Sequence, residues 1–177
     1  PEDKVQAPLR KMETARRAAS NNLAETRAMI AALAPAPLTE SSLRDALARV
    51  AGDFGEAGGL DIGVEVDGEA VPLPMRVEAG LLRIAQGAVS NVVNHAEASA
   101  ARITLTYAPE EVRLDVVDNG RGFDVNAQGL KPSGLGHLGL DAMRSRAAEL
   151  GGMLEIESAP GGPTALTVAV PVSINQK

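Results

Sequence analysis

The segment Asp115-Val116-Val117-Asp118-Asn119-Gly120-Arg121-Gly122 constrains this chain more than any other. An apolar strand pattern runs into a carboxylate and stops on two glycines spaced two apart. Such a segment must end a buried strand on a charge and let the backbone come close to whatever lies beyond it. Its neighbours in the sequence sharpen the constraint. Upstream lies an apolar helix pattern that holds Asn91 and His95, and downstream lies Gly134-Leu135-Gly136-His137-Leu138-Gly139. Each piece alone is weak: Asp-Asn-Gly is a common turn, and a bare Gly-x-Gly-x-x-Gly is a poor sign of dinucleotide binding. Here that pattern does not follow a strand directly, so a Rossmann reading fails its own context test. In this order the three pieces describe a nucleotide pocket built from one carboxylate, one helix amide and a mobile glycine-rich lid.

The 177 residues suffice for one compact domain plus an appendage. Hydrophobic residues are 45% of the chain but aromatics only 2%, so the core must be aliphatic. The scarcity of aromatics removes the stacking platforms that single-stranded nucleic acid needs. A net charge of −6 argues further against a nucleic-acid or anionic-membrane surface, so no direct nucleic-acid binding is expected. There is no cysteine, which rules out disulfides and cysteine metal sites and suits a reducing compartment. No apolar run reaches membrane-span length and no signal peptide is visible. The chain starts at Pro1 without a Met and reads as part of something longer.

Residues 3–33 are rich in Ala, Arg, Glu and Leu, with apolar residues at roughly helical spacing. Pro8 suits a first turn, so the spacing predicts a helix from about there to Ala34, broken by Pro35-Ala36-Pro37. One helix of this length cannot bury its stripe alone. A second helix is predicted over about 40–55, capped by Ser41 or Ser42 and ended by the glycines at 55–59. Alternation predicts a strand at 60–66, and Asp67-Gly68 a turn. The strongest helix pattern covers 75–97. Strands follow at 101–107 and 112–118, then a glycine-rich loop over 119–136, a helix over 138–150, and strands at 153–158 and 164–170 around a Pro160–Pro163 turn. Helices packed over one sheet, behind a helical arm, make an α+β two-layer sandwich.

In the helix at 75–97, Leu81, Ala85, Ala88, Val89 and Val92 form the stripe that should face the sheet. Gly87, Asn91 and His95, spaced by four, share another. A carboxamide oxygen is a hard ligand suited to Mg²⁺, which takes few protein ligands when phosphates supply the rest. An imidazole one turn on can donate to phosphate. Spacing alone leaves open that both are solvated helix residues. A carboxylate at the end of a buried strand can accept from an exocyclic amine such as that of adenine, and Gly120 and Gly122 let the backbone approach a flat ring. The glycine loop before the next helix favours phosphate at the helix N-terminus, where Lys131 and His137 could add positive charge or simply be solvated.

With these pieces in order, the chain resembles the ATP-binding catalytic domain of bacterial sensor histidine kinases, the GHKL ATPase superfamily with its Bergerat fold. Arg83 to Ala96 resembles the N box, Asp118 to Asp124 the G1 box, and Gly134 to Arg146 through Gly151-Gly152 the G2 box. The run Gly139-Leu140-x-x-Met143-Arg144-x-Arg146 is similar to the subfamily paired with LuxR-type response regulators. Gly161-Gly162-Pro163-Thr164 resembles the closing Gly-Thr segment. The resemblance covers roughly 39–171, and residues 39–177 are expected to form the ATP-binding domain. Residues 1–38 resemble the second helix of the dimerisation and phosphoacceptor hairpin, ending at Leu33-Ala34-Pro35. The resemblance implies ATP and Mg²⁺ as ligands. Asn91 is then on the metal, Asp118 on the adenine amine, Gly120 and Gly122 under the ring, and Thr164 near the adenine and its bound water. Gly134, Gly136, His137 and Gly139 fall in the lid, and His95 approaches the phosphates. It further implies a response-regulator partner, a homodimer through the hairpin in the full-length protein, and a cytoplasmic location within a sensor, whether or not that sensor is membrane-bound.

The first hairpin helix, with its acceptor histidine, is not in this chain, and neither His95 nor His137 stands in that context. The family pattern also places Glu where this chain has Gly87. That Glu is read as the base, or orienting group, for the acceptor His, so no catalytic base is identified. Glycine there also costs the helix about 1 kcal/mol relative to Ala. Two other readings stay open: a degenerate, non-catalytic interaction module, and a serine-directed anti-sigma kinase on the same fold, which the arm disfavours.

Overall fold

The computed structural model describes residues 42–125 and 135–172, so the helix predicted in the N-terminal arm lies outside the described residues. In chain order the elements are α1 (Leu43–Gly58), β1 (Asp61–Asp67), α2 (Met75–Asn91), a π-helical turn (Val92–Ala96), β2 (Ala100–Tyr107), β3 (Glu111–Asp118), α3 (Leu135–Glu149), β4 (Met153–Ser158) and β5 (Thr164–Pro171). The strands form one mixed sheet in the order β1-β2-β3-β5-β4. β1 and β2 are parallel and the other pairs antiparallel. A parallel pair needs a crossover connection, and α2 supplies it.

Local chemistry explains the element ends. Ser42 caps α1: the Asp45 N–H donates to its Oγ at 3.2 Å, and its hydroxyl donates to the Asp45 carboxylate at 2.8 Å. That side-chain bond leads the causes that hold the Asp45 pKa below its ordinary value. α1 ends on Gly59 in the left-handed region at φ 64°, with its N–H on the Gly55 carbonyl.

Alternation sorts the strands into two faces. Val112, Leu114 and Val116 of β3 and Leu166, Val168 and Val170 of β5 are buried, while Arg113 and Val117 of β3 lie on the exposed side. The outer face is dressed with polar pairs, including Arg102 with Glu65 and Thr167 donating to Asp115 at 2.6 Å. The inner face packs under all three helices, through Leu47 of α1, Leu81, Ile84 and Val89 of α2, and Met143 and Ala147 of α3. Each large aliphatic side chain so buried contributes about 1.5–3 kcal/mol. The α+β two-layer arrangement read from the sequence is the one observed, and the core is aliphatic as composition required.

α1 lies about three residues later than predicted at each end, and two boundaries nearer the cavity also differ from the sequence reading. The helix predicted over 75–97 is α-helical only to Asn91 and then widens into the π turn, which ends on Glu97 at φ 53°. Periodicity of apolar residues cannot distinguish a four-residue from a five-residue hydrogen-bond step over a single turn. α3 begins at Leu135, three residues before the predicted start, so Gly136 and His137 fall in its first turn rather than in the loop. Glycine is a poor helix former, but the N–H groups of a first turn need no intrahelical partner, which weakens glycine as a stop signal there.

Candidate functional site

The site is built on one row of the sheet. Asp118 ends β3 and pairs with Thr164 at the start of β5, which in turn pairs with Ser158 at the end of β4. Thr164 Oγ1 and Ser158 Oγ are 2.9 Å apart, and Ser158 Oγ accepts the Phe123 N–H at 3.0 Å. One hydroxyl thus ties two strands to the loop that leaves Asp118. Above this row opens a cavity of about 330 Å³, within the range of small-molecule sites. Its apolar walls come from Ala88 and Val92 on the helical side, Val116, Ile156 and Leu166 on the sheet, and Leu140 of α3. Asn91, His95, Asp118, Arg121 and Thr164 supply the polar groups.

Asp118 is the one buried charged or polar residue among the described residues, at 5% exposure. Its Oδ1 accepts the Gly120 N–H at 2.8 Å, and no cation among the described residues pairs with it. A buried carboxylate that keeps acceptor capacity toward a cavity is costly unless something donates to it.

The loop after Asp118 is pinned from both sides. Arg121 N–H donates to the Ala96 carbonyl at 2.8 Å, its Nε to the His95 carbonyl at 3.1 Å, and its guanidinium meets Glu97 at 3.1 Å. Asn119 Oδ1 accepts the N–H groups of Ser99 and Ala100, both at 3.0 Å, and its Nδ2 donates to Ser99 Oγ. Gly120 lies so close to the π turn that a Cβ would stand 2.3 Å from the Ala96 carbonyl oxygen. Gly122 is left-handed at φ 55°, and a Cβ there would stand 2.1 Å from the Ala159 oxygen. Only glycine fits either place.

The predicted site residues separate into groups. Asn91, His95, Asp118, Gly122 and Thr164 all line the cavity. Gly120 borders the chain's own backbone rather than the cavity surface, so its missing side chain is already explained by Ala96. Gly139 lies against the Asn91 carboxamide, 3.6 Å from Oδ1 measured from an ideal Cβ. Gly136 and His137 are in the first turn of α3, and Gly134 and Lys131 lie outside the described residues. Gly87 does not share the cavity with Asn91 and His95: its Cβ direction points at Met143 Sδ of α3, 3.0 Å away. Successive steps of four residues drift about 40° around an α-helix, since 3.6 residues make a turn, and the π turn adds to the drift. Sequence reading passed over Ser158 and assigned no role to Arg121 or Asn119. A single serine at a strand end carries no periodic signal, whereas Arg121 and Asn119 stood inside the quoted segment.

The site can thus accept an amine donor at Asp118, enclose a flat apolar group, and offer an amide oxygen at Asn91. Among the described residues no three His, Cys, Asp or Glu side chains converge on a metal position. A lone Asn oxygen fits Mg²⁺ carried in on phosphates rather than a metal held by the protein alone.

The family model described as "Histidine kinase-, DNA gyrase B-, and HSP90-like ATPase" matches residues 76–174. Among curated proteins, the chain is 35% identical to sensor histidine kinase LiaS of Bacillus subtilis over 86% of this chain and 41% of that protein. It is 35% identical to sensor histidine kinase MctS of Rhizobium johnstonii over 81% and 31%, and 32% identical to sensor protein VraS of Staphylococcus saprophyticus over 84% and 41%. The chain therefore spans less than half the length of these relatives. A solved histidine kinase domain from the Erythrobacter litoralis EL346 blue-light activated histidine kinase shares the fold. It has a TM-score of 0.57 at 22% identity, over 74% of this chain and 65% of that one. The matched segment runs from the second residue of α2 past the end of β5 and contains every cavity-lining residue, and on that ground the chain belongs to the histidine kinase-, DNA gyrase B- and HSP90-like ATPase family.

Proposed function

We propose that this chain binds Mg²⁺-ATP and donates the γ-phosphoryl group to a histidine of a kinase dimerisation domain, in two-component signalling to a LuxR-type response regulator. The observation that carries the reading is Asp118: a buried carboxylate with spare acceptor capacity, set at the sheet end of a cavity of nucleotide size. Asp118 accepts from the adenine exocyclic amine, and Gly122 and Thr164 border the ring. Asn91 coordinates Mg²⁺, which neutralises charge on the triphosphate. His95, exposed at the cavity mouth, approaches the phosphates, and Gly134, Gly136, His137 and Gly139 belong to the lid segment.

In the transfer, the bond from the γ-phosphorus to the β,γ-bridging oxygen breaks, a bond to the acceptor imidazole nitrogen forms, and ADP leaves. Such transfers are accelerated mainly by positioning and charge neutralisation, which this site supplies without a carboxylate at position 87. The partners follow from the same reading: ATP, a LuxR-type response regulator, and a second copy of the full-length protein, paired through a hairpin whose second helix is residues 1–38. The location is cytoplasmic, within a sensor. Among the described residues no helix is long and apolar enough to cross a membrane.

Nucleotide titration with Mg²⁺ tests the binding half: an Asp118→Ala chain that binds as tightly as the parent would remove the pocket assignment. Gly87 favours a second reading, a non-catalytic interaction module. The complete kinase hairpin supplied with ATP and this chain separates the two, since robust phosphohistidine labelling excludes the second and nucleotide binding without labelling excludes the first.

A further inference from the structure

α2 is notched twice, once against α3 and once against Leu150, the residue that follows α3. A Cβ on Gly80 would stand 2.6 Å from Leu150 Cδ1, and one on Gly87 would stand 3.0 Å from Met143 Sδ and 3.3 Å from its Cγ. Both partners are buried, Met143 at 2% exposure. The notches are seven residues apart on α2, and their knobs are seven apart on this side of the fold in reverse order. The helices therefore run antiparallel with their relative height fixed. The same register continues toward the cavity. Gly139, four residues before Met143, meets Asn91, four residues after Gly87. The Asn91 carboxamide then has α3 as its neighbour, with Oδ1 at 3.6 Å and Nδ2 at 4.0 Å from the Cβ direction of Gly139. The final torsion of an asparagine side chain is soft, so what packs beside it governs where its oxygen points.

We infer that Met143, seated in the notch at Gly87, is a positioning residue for Asn91. It sets the height of α3 along α2, and through Gly139 it sets the orientation of the carboxamide that faces the cavity. The inference rests on the reading of Asn91 as the metal-binding residue. It gives position 87 a role of its own: where the family pattern has an acid, this chain has a socket filled by a thioether. A methionine is flexible enough to yield a few tenths of an ångström, so Ala at 87 is a small disturbance. A second long side chain in the same close-packed space displaces α3.

The test uses the full chain in three forms: parent, Gly87→Met, and the exchanged pair Gly87→Met with Met143→Gly. Two quantities are read: the Asn91 side-chain amide resonances, and the factor by which Mg²⁺ tightens binding of a non-hydrolysable ATP analogue. The single variant should shift the Asn91 resonances and lower the Mg²⁺ factor by about tenfold, the usual scale for losing a group that orients a metal ligand. Adenosine should lose less affinity than the Mg²⁺ factor loses, because the Asp118 row is on the sheet and α3 contributes only the Leu140 wall, and the exchanged pair should return both readouts toward the parent. A folded Gly87→Met chain with parental resonances and parental Mg²⁺ factor overturns the inference, as does an exchanged pair that folds with its Asn91 resonances still displaced. Should Gly87→Met not fold, Met143→Ala decides: emptying the notch beside Gly87 should displace the Asn91 resonances, and unmoved resonances overturn the inference. A parent that binds ATP with no Mg²⁺ effect would overturn the metal role of Asn91, and the resonances alone would then decide the packing claim.

Discussion

Asp118→Asn separates binding from folding more cleanly than any other change in this molecule. Asparagine keeps an Oδ1 able to accept the Gly120 N–H, now at 2.8 Å, and it removes a charge held at 5% exposure. Taking a poorly compensated charge out of the interior relieves a desolvation cost, so the nucleotide-free chain should melt at or above the parental temperature. Binding moves the other way. A hydrogen bond to a charged acceptor contributes about 1.5–3 kcal/mol, and the new amide can turn a donor toward the adenine amine. The affinity should fall about 10- to 150-fold. At a nucleotide concentration about 1,000 times the parental dissociation constant, ligand stabilises the parent by about 4.1 kcal/mol, and a hundredfold weaker variant by about 1.4 kcal/mol. For a domain of this size that difference is worth several degrees of melting temperature. Calorimetric titration gives the affinities, and thermal melts with and without nucleotide give the stabilities. Parental affinity in the Asn variant would refute the assignment of Asp118. A fall in affinity matched by an equal fall in nucleotide-free stability would refute the argument that the carboxylate is held for a ligand.

Gly122→Ala should destabilise the domain by more than about 3 kcal/mol in urea unfolding, because a left-handed φ of 55° and two backbone carbonyls within 2.5 Å of the new Cβ act together; a loss under about 1 kcal/mol would show that the loop can relax. Ser158→Ala should cost about 1–2 kcal/mol and weaken nucleotide binding, since it frees the Phe123 N–H and removes the partner of Thr164; unchanged binding would detach Ser158 from the site. Ser42→Ala should cost about 1 kcal/mol at neutral pH through the lost cap. The Asp45 carboxyl, held below its ordinary 3.8 chiefly by the Ser42 hydroxyl, stabilises the fold above that value and loses its contribution as pH falls through the lowered one. The gap between Ser42→Ala and parent in urea unfolding should therefore narrow below about pH 4, and a gap that widens on acidification would contradict the bond. Arg121→Ala should change stability by less than about 1 kcal/mol, since its ion pair with Glu97 is exposed, and a larger loss in urea unfolding would mean that its bond to the His95 carbonyl carries the loop.

Much of this molecule is legible in its sequence because its elements obey local rules. The buried face of β3 is Val112, Leu114 and Val116, a strict alternation that also fixes Asp118 as the next inward residue. Ser42 and Gly59 mark the ends of α1 by side-chain chemistry and by conformational freedom. The cavity residues Asn91, His95, Asp118 and Thr164 stood in segments whose order was already informative. What escaped reading depends on contacts between distant segments. Ser158 matters because β4 lies beside β5, and nothing within β4 says so. The π turn at Val92–Ala96 sits where the loop of Arg121 and Gly120 presses on Ala96, a contact between residues far apart in the chain. Gly87 was grouped with Asn91 and His95 because their spacing was taken around a straight helix, whereas its surroundings are set by Met143 from another helix.

The most direct measurement of the central claim is a crystal structure of this chain with Mg²⁺ and a non-hydrolysable ATP analogue. The account predicts the adenine amine within about 3.2 Å of the Asp118 carboxylate and the metal about 2.1 Å from the Asn91 oxygen, bridged to phosphate. A purine bound away from β3, or a triphosphate whose metal leaves Asn91 untouched, would contradict it.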